Sequence, residues 1–250
     1  MQTVIIGSGN VAYHLAKAFV QNGISLAQIF GRNEKELDKI SEELNTPNST
    51  TNLVEADLYI ICVSDGSIGA VSKLITKKDC LVAHTSGSLP KEILVGEYRK
   101  SSFYPLQTFS KTKNLDYKKI PFFIETENEE DQKILTDLAS KISDNVMESN
   151  HEKRKYIHLT AVFACNFVNH LFARAKEISD AQEIPFDYFL PLINETVQKI
   201  SEIEPKSAQT GPAVRNDQRV LELHEQLLKD ESLKIYKTMN HSIKKMYQLL

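Results

Sequence analysis

The stretch TVIIGSGNVA at residues 3–12 decides how the first part of this chain folds. A β-branched run over residues 3–6 predicts a buried strand that stops at a glycine. The pattern Gly7-x-Gly9-x-x-Ala12 then opens a helix, whose start offers free N–H groups and a partial positive charge to an anion. This arrangement is typical of a dinucleotide pyrophosphate site. We predict that the site is formed by Gly7, Ser8, Gly9, Asn10 and Val11.

The end of the second predicted strand distinguishes NAD(H) from NADP(H). This strand covers residues 25–30 and leads into Gly31-Arg32-Asn33, with no acidic residue before Glu34. Sites that prefer NAD(H) usually place an acid here to bind the ribose 2′-hydroxyl. Arg32 instead offers a planar set of donors that suits a 2′-phosphate, and Asn33 adds an amide while it caps a helix over residues 34–44. We predict NADP(H); the alternative is that Arg32 is a solvated turn residue.

Composition excludes several classes of protein. The chain has 250 residues and a formal net charge of −3, which gives no reason to expect nucleic acid or an acidic membrane as partner. No segment has the roughly 18 apolar residues of a membrane span, and no leader pattern precedes the first strand, so we expect a cytoplasmic protein. The cysteines, Cys62, Cys80 and Cys165, are too far apart for a metal site, and we expect buried, reduced thiols.

Strands and helices alternate through the first 150 residues. Further strands are predicted at residues 58–63, 81–84, 102–104, 121–125 and 145–148, with helices at 67–76 and 129–142. Such alternation predicts an α/β fold with a doubly wound parallel sheet. We assign residues 1–150 to a dinucleotide-binding domain.

Residues 151–250 contain no convincing strand. Helical patterns cover residues 153–181, 186–203, 218–230 and 232–250, with a Gly-Pro loop between the second and the third. We assign this part to an all-α domain for substrate binding and dimerisation. Because its long apolar helices are hard to cover within about 100 residues, we expect a homodimer formed through them.

Residues directly after the strands are the next candidates, since ligands of open α/β sheets bind beyond the carboxyl strand ends. Val63, Ser64 and Asp65 are predicted to contact the cofactor, although the serine and the aspartate also suit helix capping. His84 ends an apolar strand, so we expect it to face the cleft as a proton donor; the alternative is a structural histidine. Ser86 is predicted to bind substrate.

The long helix and the Gly-Pro loop carry the remaining candidates. At 100° per residue, His158 and Asn169 share one stripe of the helix, and Asn166 lies one turn from Asn169. Such polar groups on an apolar helix need partners, which other helices, a second subunit or a substrate can provide. We predict His158 and Asn166 as catalytic residues and Asn169 as a substrate contact. Arg215 is predicted to hold an anionic substrate group, the alternative being an ordinary Arg–Asp loop pair.

These motifs together resemble one bacterial family of NADP oxidoreductases, in which a Rossmann-like domain precedes a helical domain of unknown function. The segments that carry the resemblance are Gly7-Ser8-Gly9-Asn10-Val11-Ala12, Ser64-Asp65, His84-Thr85-Ser86-Gly87-Ser88, Phe103-Tyr104-Pro105-Leu106-Gln107-Thr108-Phe109 and Gln209-Thr210-Gly211-Pro212-Ala213. More distantly, the chain is similar to pyrroline-5-carboxylate reductases and to 6-phosphogluconate and 3-hydroxyacid dehydrogenases. The hydroxyacid dehydrogenases carry a catalytic lysine in the first long helix, and here residues 156–171 contain none.

From the motifs and the resemblance together we predict an NADP(H)-dependent oxidoreductase that acts on a small polar carbonyl or imine compound. In this hypothesis His84 or His158 donates the proton and Asn166 orients the substrate. The competing hypothesis is a non-catalytic NADP(H) sensor or partner-binding protein on the same scaffold, because a fold does not fix a function.

Overall fold

A single eight-stranded sheet forms the centre of the first part of the molecule, as seen in a computed structural model that describes residues 1–250. The strands follow the order β3-β2-β1-β4-β5-β6-β7-β8 across the sheet. Their bounds are β1 (Thr3–Ile6), β2 (Leu26–Phe30), β3 (Asn48–Ser49), β4 (Leu58–Ile61), β5 (Leu81–His84), β6 (Arg99–Pro105), β7 (Phe122–Glu125) and β8 (Val146–Glu148).

Helices occupy the regions predicted to be helical, and one further short helix lies in the predicted loop between residues 203 and 218. They are α1 (Asn10–Gln21), α2 (Glu34–Leu44), α3 (Ile68–Ser72), α4 (Glu129–Ile142), α5 (His151–Ala161), α6 (Val168–Asp180), α7 (Leu190–Lys199), α8 (Pro205–Ala208), α9 (Gln218–Leu227) and α10 (Asp230–Met246). The sheet and its covering helices confirm the predicted Rossmann-like α/β fold followed by a helical region. Both predicted bounds of α2 and of α4 are correct.

The sheet has one strand more than predicted, the short edge strand β3, and the direction of one strand and the length of one helix also differ from the prediction. Strands β1 to β6 pair in parallel, but β7 runs antiparallel to β6. The connection between Pro105 and Phe122 has only one short 3₁₀ turn and no crossover helix, so the chain returns in the opposite direction. Helix α3 is also shorter than predicted: the backbone N–H groups of Leu74 and Ile75 donate to the carbonyls of Val71 and Ser72, three residues earlier, which ends the helix in a tighter turn.

Apolar packing on both faces fixes the sheet. Alternate strand residues point to opposite faces, so Ile5 packs on the side of α1, whereas Val4 and Ile6 pack on the other side. Helix α1 buries Ala12, Leu15 and Phe19 against its face. The start of α1 is thereby held directly above the carboxyl ends of the central strands.

The chain divides into two compact units, Met1–Asn166 and Phe167–Leu250. Helix α5 therefore belongs to the first unit. The first unit contains nearly the whole apolar core, while the second buries only Ser179, Ala213 and Leu221. The assignment of substrate binding and dimerisation to residues 151–250 stays a prediction.

A π-helical segment, Val162–Phe167, interrupts the long helix predicted for residues 153–181. The uniform turn of 100° per residue, on which the predicted common stripe of His158 and Asn169 rests, does not hold across such a segment. The side chains of Asn166 and Asn169 are exposed rather than buried. Cys165 lies in the same segment and is exposed too, which corrects the expectation of three buried thiols; Cys62 and Cys80 are buried and all three are free.

No helix of the structure combines the length and the apolar composition that crossing a membrane needs.

Candidate cofactor and active site

A groove made of two adjoining cavities runs along the carboxyl ends of β1, β4 and β5. The cavities have volumes of about 900 Å³ and 390 Å³ and share Gly9, Cys62, Val63 and Ser64 as lining residues. The larger one, the nucleotide cavity, is also lined by Gly7, Ser8, Arg32 and Asn33. The smaller one, the reaction cavity, is also lined by Asn10, Val11, Asp65, Ser86, Tyr104 and His158. The structure thus brings the ten predicted cofactor residues to one groove.

The two glycines of the turn do different work. Gly7 has φ = +142°, and a Cβ atom built on it would lie 2.2 Å from the Cys62 carbonyl oxygen. Only glycine fits there, because β1 and β4 come this close at their ends. Gly9 has no atom within 4 Å of its ideal Cβ position. The space above it is open at the start of α1, which suits the approach of a pyrophosphate to the backbone.

The far end of the nucleotide cavity suits a 2′-phosphate. No acidic residue stands at the end of β2, and Arg32 there is exposed and lines the cavity. Asn33 caps α2, its side-chain oxygen accepting the backbone N–H of Glu36 at 3.3 Å. The donor set therefore fits the cofactor NADP(H), and both residues lie where the sequence predicted them.

Cys62 is a buried residue that lines both cavities. Burial raises the pKa of its thiol to about 12, with a small opposite effect of Thr85. The thiol therefore stays protonated at neutral pH, and thiolate chemistry is not available in the groove.

His158 is the titratable side chain of α5 that reaches the reaction cavity. Its Nδ1 lies 3.0 Å from the Tyr104 hydroxyl, and the two rings meet edge to face with centroids 6.0 Å apart. A Cβ on Gly87 would lie 2.8 Å from the Cβ, Cγ and Nδ1 atoms of His158. The imidazole is thus held between Tyr104 and a loop that tolerates no side chain at that point.

Contacts of a buried arginine and of a histidine attach the start of α5 to the loop that follows β5. The Arg154 side chain is fully buried, forms an ion pair with Glu125 of β7, and donates to the Leu89 carbonyl at 2.6 Å. One turn earlier, His151 Nε2 lies 3.0 Å from the Ser88 carbonyl. A buried charge is stable only with such partners. The Arg154–Glu125 ion pair therefore fixes where α5, and with it His158, lies against the loop.

His84 does not face the groove, which corrects the sequence-based expectation. Its side chain is fully buried and lies on the same face of β5 as Val82, away from the start of α1. Its Nδ1 accepts the backbone N–H of Ser86 at 3.1 Å. Burial, followed by the charge of Arg154, lowers the pKa of His84 to about 4, against a smaller opposite effect of the Pro90 carbonyl. His84 is therefore neutral at pH 7.

Ser86 lines the reaction cavity, as its predicted role requires. Its Oγ accepts the backbone N–H groups of Ser88 and Leu89, each at 3.1 Å. The hydroxyl hydrogen is left to donate to a ligand. Asn166 is exposed on the π-helical segment, and Asn169 and Arg215 are exposed in the second unit; their contacts with substrate stay predictions.

Several residues that line the reaction cavity had no predicted role, among them Tyr104, Gln107 and Phe109. Tyr104 lies near the end of β6, which pairs in parallel with β5 and so delivers its carboxyl end to the same edge. Ligands of open α/β sheets bind beyond the carboxyl ends of the strands, and this rule, which predicts Val63 and Ser86, also predicts Tyr104 when it is applied to β6.

We predict that Gly9→Ala weakens dinucleotide binding without lowering stability. The methyl group has free space in the protein but occupies the room that the pyrophosphate needs. Gly7→Ala should instead destabilise the fold by about 2 kcal/mol or more, because of the contact with Cys62 and the positive φ. Calorimetric titration and urea unfolding of both variants test this. Equal losses of stability would contradict the division of roles between the two glycines.

Comparisons with known proteins agree with the assignment of this groove to a dinucleotide. The family described as NADP oxidoreductase coenzyme F420-dependent matches residues 2–87, and a domain of unknown function, DUF2520, matches residues 120–243. No curated protein sequence matches the chain.

Among solved structures, a Bacteroides fragilis protein assigned as an NADP oxidoreductase is 38% identical, with 98% of each chain covered and a TM-score of 0.93. A reductive aminase from Aspergillus terreus is 11% identical, with 99% of this chain and 93% of the aminase covered and a TM-score of 0.71. A 1-pyrroline-5-carboxylate reductase from Streptococcus pyogenes is 15% identical, with 100% and 99% covered and a TM-score of 0.64.

The last two similarities show a shared fold alone. The first, at 38% identity over nearly the whole of both chains, shows the family. The predicted cofactor, NADP(H), is confirmed by this membership, in agreement with Arg32 and the missing acid at the end of β2. The chain belongs to the family of NADP oxidoreductases in which a dinucleotide-binding domain precedes a DUF2520 domain.

Proposed function

We propose that this protein transfers hydride between NADP(H) and a small polar carbonyl or imine compound, with His158 as the proton donor. The observation that carries the proposal is the position of His158. It lines the same cavity as Gly9, Asn10 and Val11 of the dinucleotide turn, and Tyr104 holds its ring there.

Tyr104 acts as a positioning residue in this mechanism. Burial raises the pKa of its phenol to about 12, with a smaller opposite effect of Arg154, so the hydroxyl keeps its proton at neutral pH. The hydroxyl donates to Nδ1 of a neutral imidazole or accepts from Nδ1–H of an imidazolium. In either state Nδ1 is engaged, and Nε2 is the ring nitrogen that remains for a ligand.

When bound, NADPH supplies the hydride that adds to the carbon of the C=O or C=N bond. The imidazolium of His158 gives its Nε2 proton to the oxygen or nitrogen, so that bond gains one hydride and one proton. The Ser86 hydroxyl donates to the same heteroatom or to a neighbouring polar group of the substrate. Solvent then restores the proton on His158. In the oxidation direction each transfer is reversed.

The other sequence-based candidates enter this proposal differently. His84 is fully buried, so it is assigned a structural role in holding the loop at Ser86. Contacts of Asn166, Asn169 and Arg215 with substrate stay predictions. Imines are the first substrates to test, because the same fold is used by a 1-pyrroline-5-carboxylate reductase and by a reductive aminase.

The homodimer remains part of the proposal. In the second unit, large apolar side chains such as Tyr188, Leu192, Val197 and Leu227 are more than half exposed. This unit has 11 basic and 12 acidic residues, so its net charge of −1 favours neither a strongly acidic nor a strongly basic partner. A second copy of the same apolar surface covers it without a charge mismatch.

We predict that His158→Gln lowers kcat for imine or keto acid reduction by about 10²- to 10⁴-fold, the range of general acid catalysis. NADPH affinity should stay unchanged, because the side chain lies beyond the dinucleotide turn. Tyr104→Phe removes the positioning hydroxyl and should lower kcat less, by about tenfold. His241→Gln, on an exposed position of α10, is the matched control.

Turnover at the wild-type rate in His158→Gln would reject the assigned donor. NADPH binding without turnover of any imine or keto acid in the wild type would favour the sensor over the enzyme.

We also predict twice the mass of one chain by light scattering at micromolar concentration. Leu192→Glu places a charge on the exposed apolar surface and should shift the protein to monomer, whereas Leu192→Met should not. A monomeric wild type would overturn the proposed dimer.

A further inference from the structure

The segment that follows β6 crosses the dinucleotide turn and is attached to it. The Asn10 side-chain amide donates to the Phe109 carbonyl at 2.9 Å. His14 Nε2 lies 2.9 Å from the Ser110 carbonyl, and the rings of His14 and Phe109 are 5.3 Å apart. The next residue, Lys111, is consequently held beside the turn rather than in solvent.

The Lys111 ammonium links the dinucleotide turn to α2. Its Nζ donates to the Ser8 carbonyl at 2.8 Å and to Glu36 Oε2 at 2.6 Å. The other carboxylate oxygen of Glu36 accepts from Lys39 at 2.6 Å. Lys111 and then Lys39 lower the pKa of Glu36 to about 2, so this side chain is a carboxylate throughout the physiological range.

Glu36 directly follows four residues that line the 2′-phosphate end of the nucleotide cavity, Arg32, Asn33, Glu34 and Lys35, and does not line it itself. It is the third residue of α2, and its backbone N–H bonds to Asn33, which lines that cavity together with Arg32. A glutamate at this helix position commonly turns back to the capping residue. Here the carboxylate is turned towards the two lysines instead.

We propose that Lys111 determines the preference for NADP(H) by neutralising Glu36 beside the Arg32 site. The inference rests on the binding of NADP(H) in the groove, which the proposed function requires. Glu34 already lines this end of the cavity, together with Lys35. A 2′-phosphate brings a charge of about −1.5 to −2, which a second free carboxylate at the start of α2 would repel further. Lys111 does not line the cavity and acts through Glu36, so it is a positioning residue.

The test is a double-mutant cycle read as dissociation constants for NADPH and NADH. In Lys111→Ala we expect NADPH affinity to fall about tenfold while NADH affinity does not fall. The double variant Lys111→Ala/Glu36→Gln should recover NADPH affinity to within about threefold of the wild type, since the repelling charge is gone. Lys113→Ala is the matched control, because Lys113 lies in the same segment, is exposed and forms no ion pair. Lys111→Arg, which keeps the charge, should retain the preference.

Two results would overturn the inference. One is an equal loss of NADPH and NADH affinity in Lys111→Ala with no recovery in the double variant, which would mean that Lys111 only braces the turn at the Ser8 carbonyl. The other is unchanged NADPH affinity in a folded Lys111→Ala, as judged by its melting temperature. A wild type that binds neither dinucleotide would instead remove the proposed function, and this inference with it.

Discussion

The close approach of Gly7 to the Cys62 carbonyl is the constraint on which the site depends. Strands β1 and β4 pair in parallel up to Ile6 and Ile61, and their first residues beyond the sheet are then almost in contact. A side chain at Gly7 would push these two strand ends apart. With glycine there, the dinucleotide turn and the segment after β4 form opposite walls of one groove, with Cys62 as their common floor.

The second constraint is the position of α5. A helix that carries a proton donor must be held at a fixed distance from the cofactor, because small displacements cost much of the rate. Here Arg154 is fully buried against Glu125 and the Leu89 carbonyl, and Gly87 lets the loop lie directly against His158. The ion pair contributes more to the position of the helix than to net stability, since burying two charges costs about as much as their attraction returns.

Much of the fold could be predicted from local sequence. The strand β1, the helices α2 and α4 and the cap at Asn33 follow from short apolar runs and polar start signals. The antiparallel β7 could not be predicted from the strand pattern, because the direction of a strand depends on the length and structure of its connection. The π-helical segment was missed as well, since residues 162–167 carry no glycine or proline that marks an irregular turn.

The site, like the fold, could be predicted only where a local sequence pattern marks its residues. Residues next to a glycine pattern or a strand end are local in sequence, and the turn, Arg32, Ser64 and Ser86 were located in this way. Contacts between distant segments, such as Tyr104 with His158 and Lys111 with Glu36, have no local signal. His84 was assigned to the wrong side because a strand-end position alone does not say which face of the sheet a side chain occupies.

A crystal structure of the protein with NADP⁺ bound tests the central claim most directly, through the distance from His158 Nε2 to the nicotinamide C4 atom. The account predicts that the nicotinamide ring lies in the reaction cavity about 4–6 Å from Nε2, which leaves room for one reacting group between them, with the Tyr104 hydrogen bond intact. A nicotinamide ring outside that cavity, or a His158 side chain turned away from it, would contradict the account.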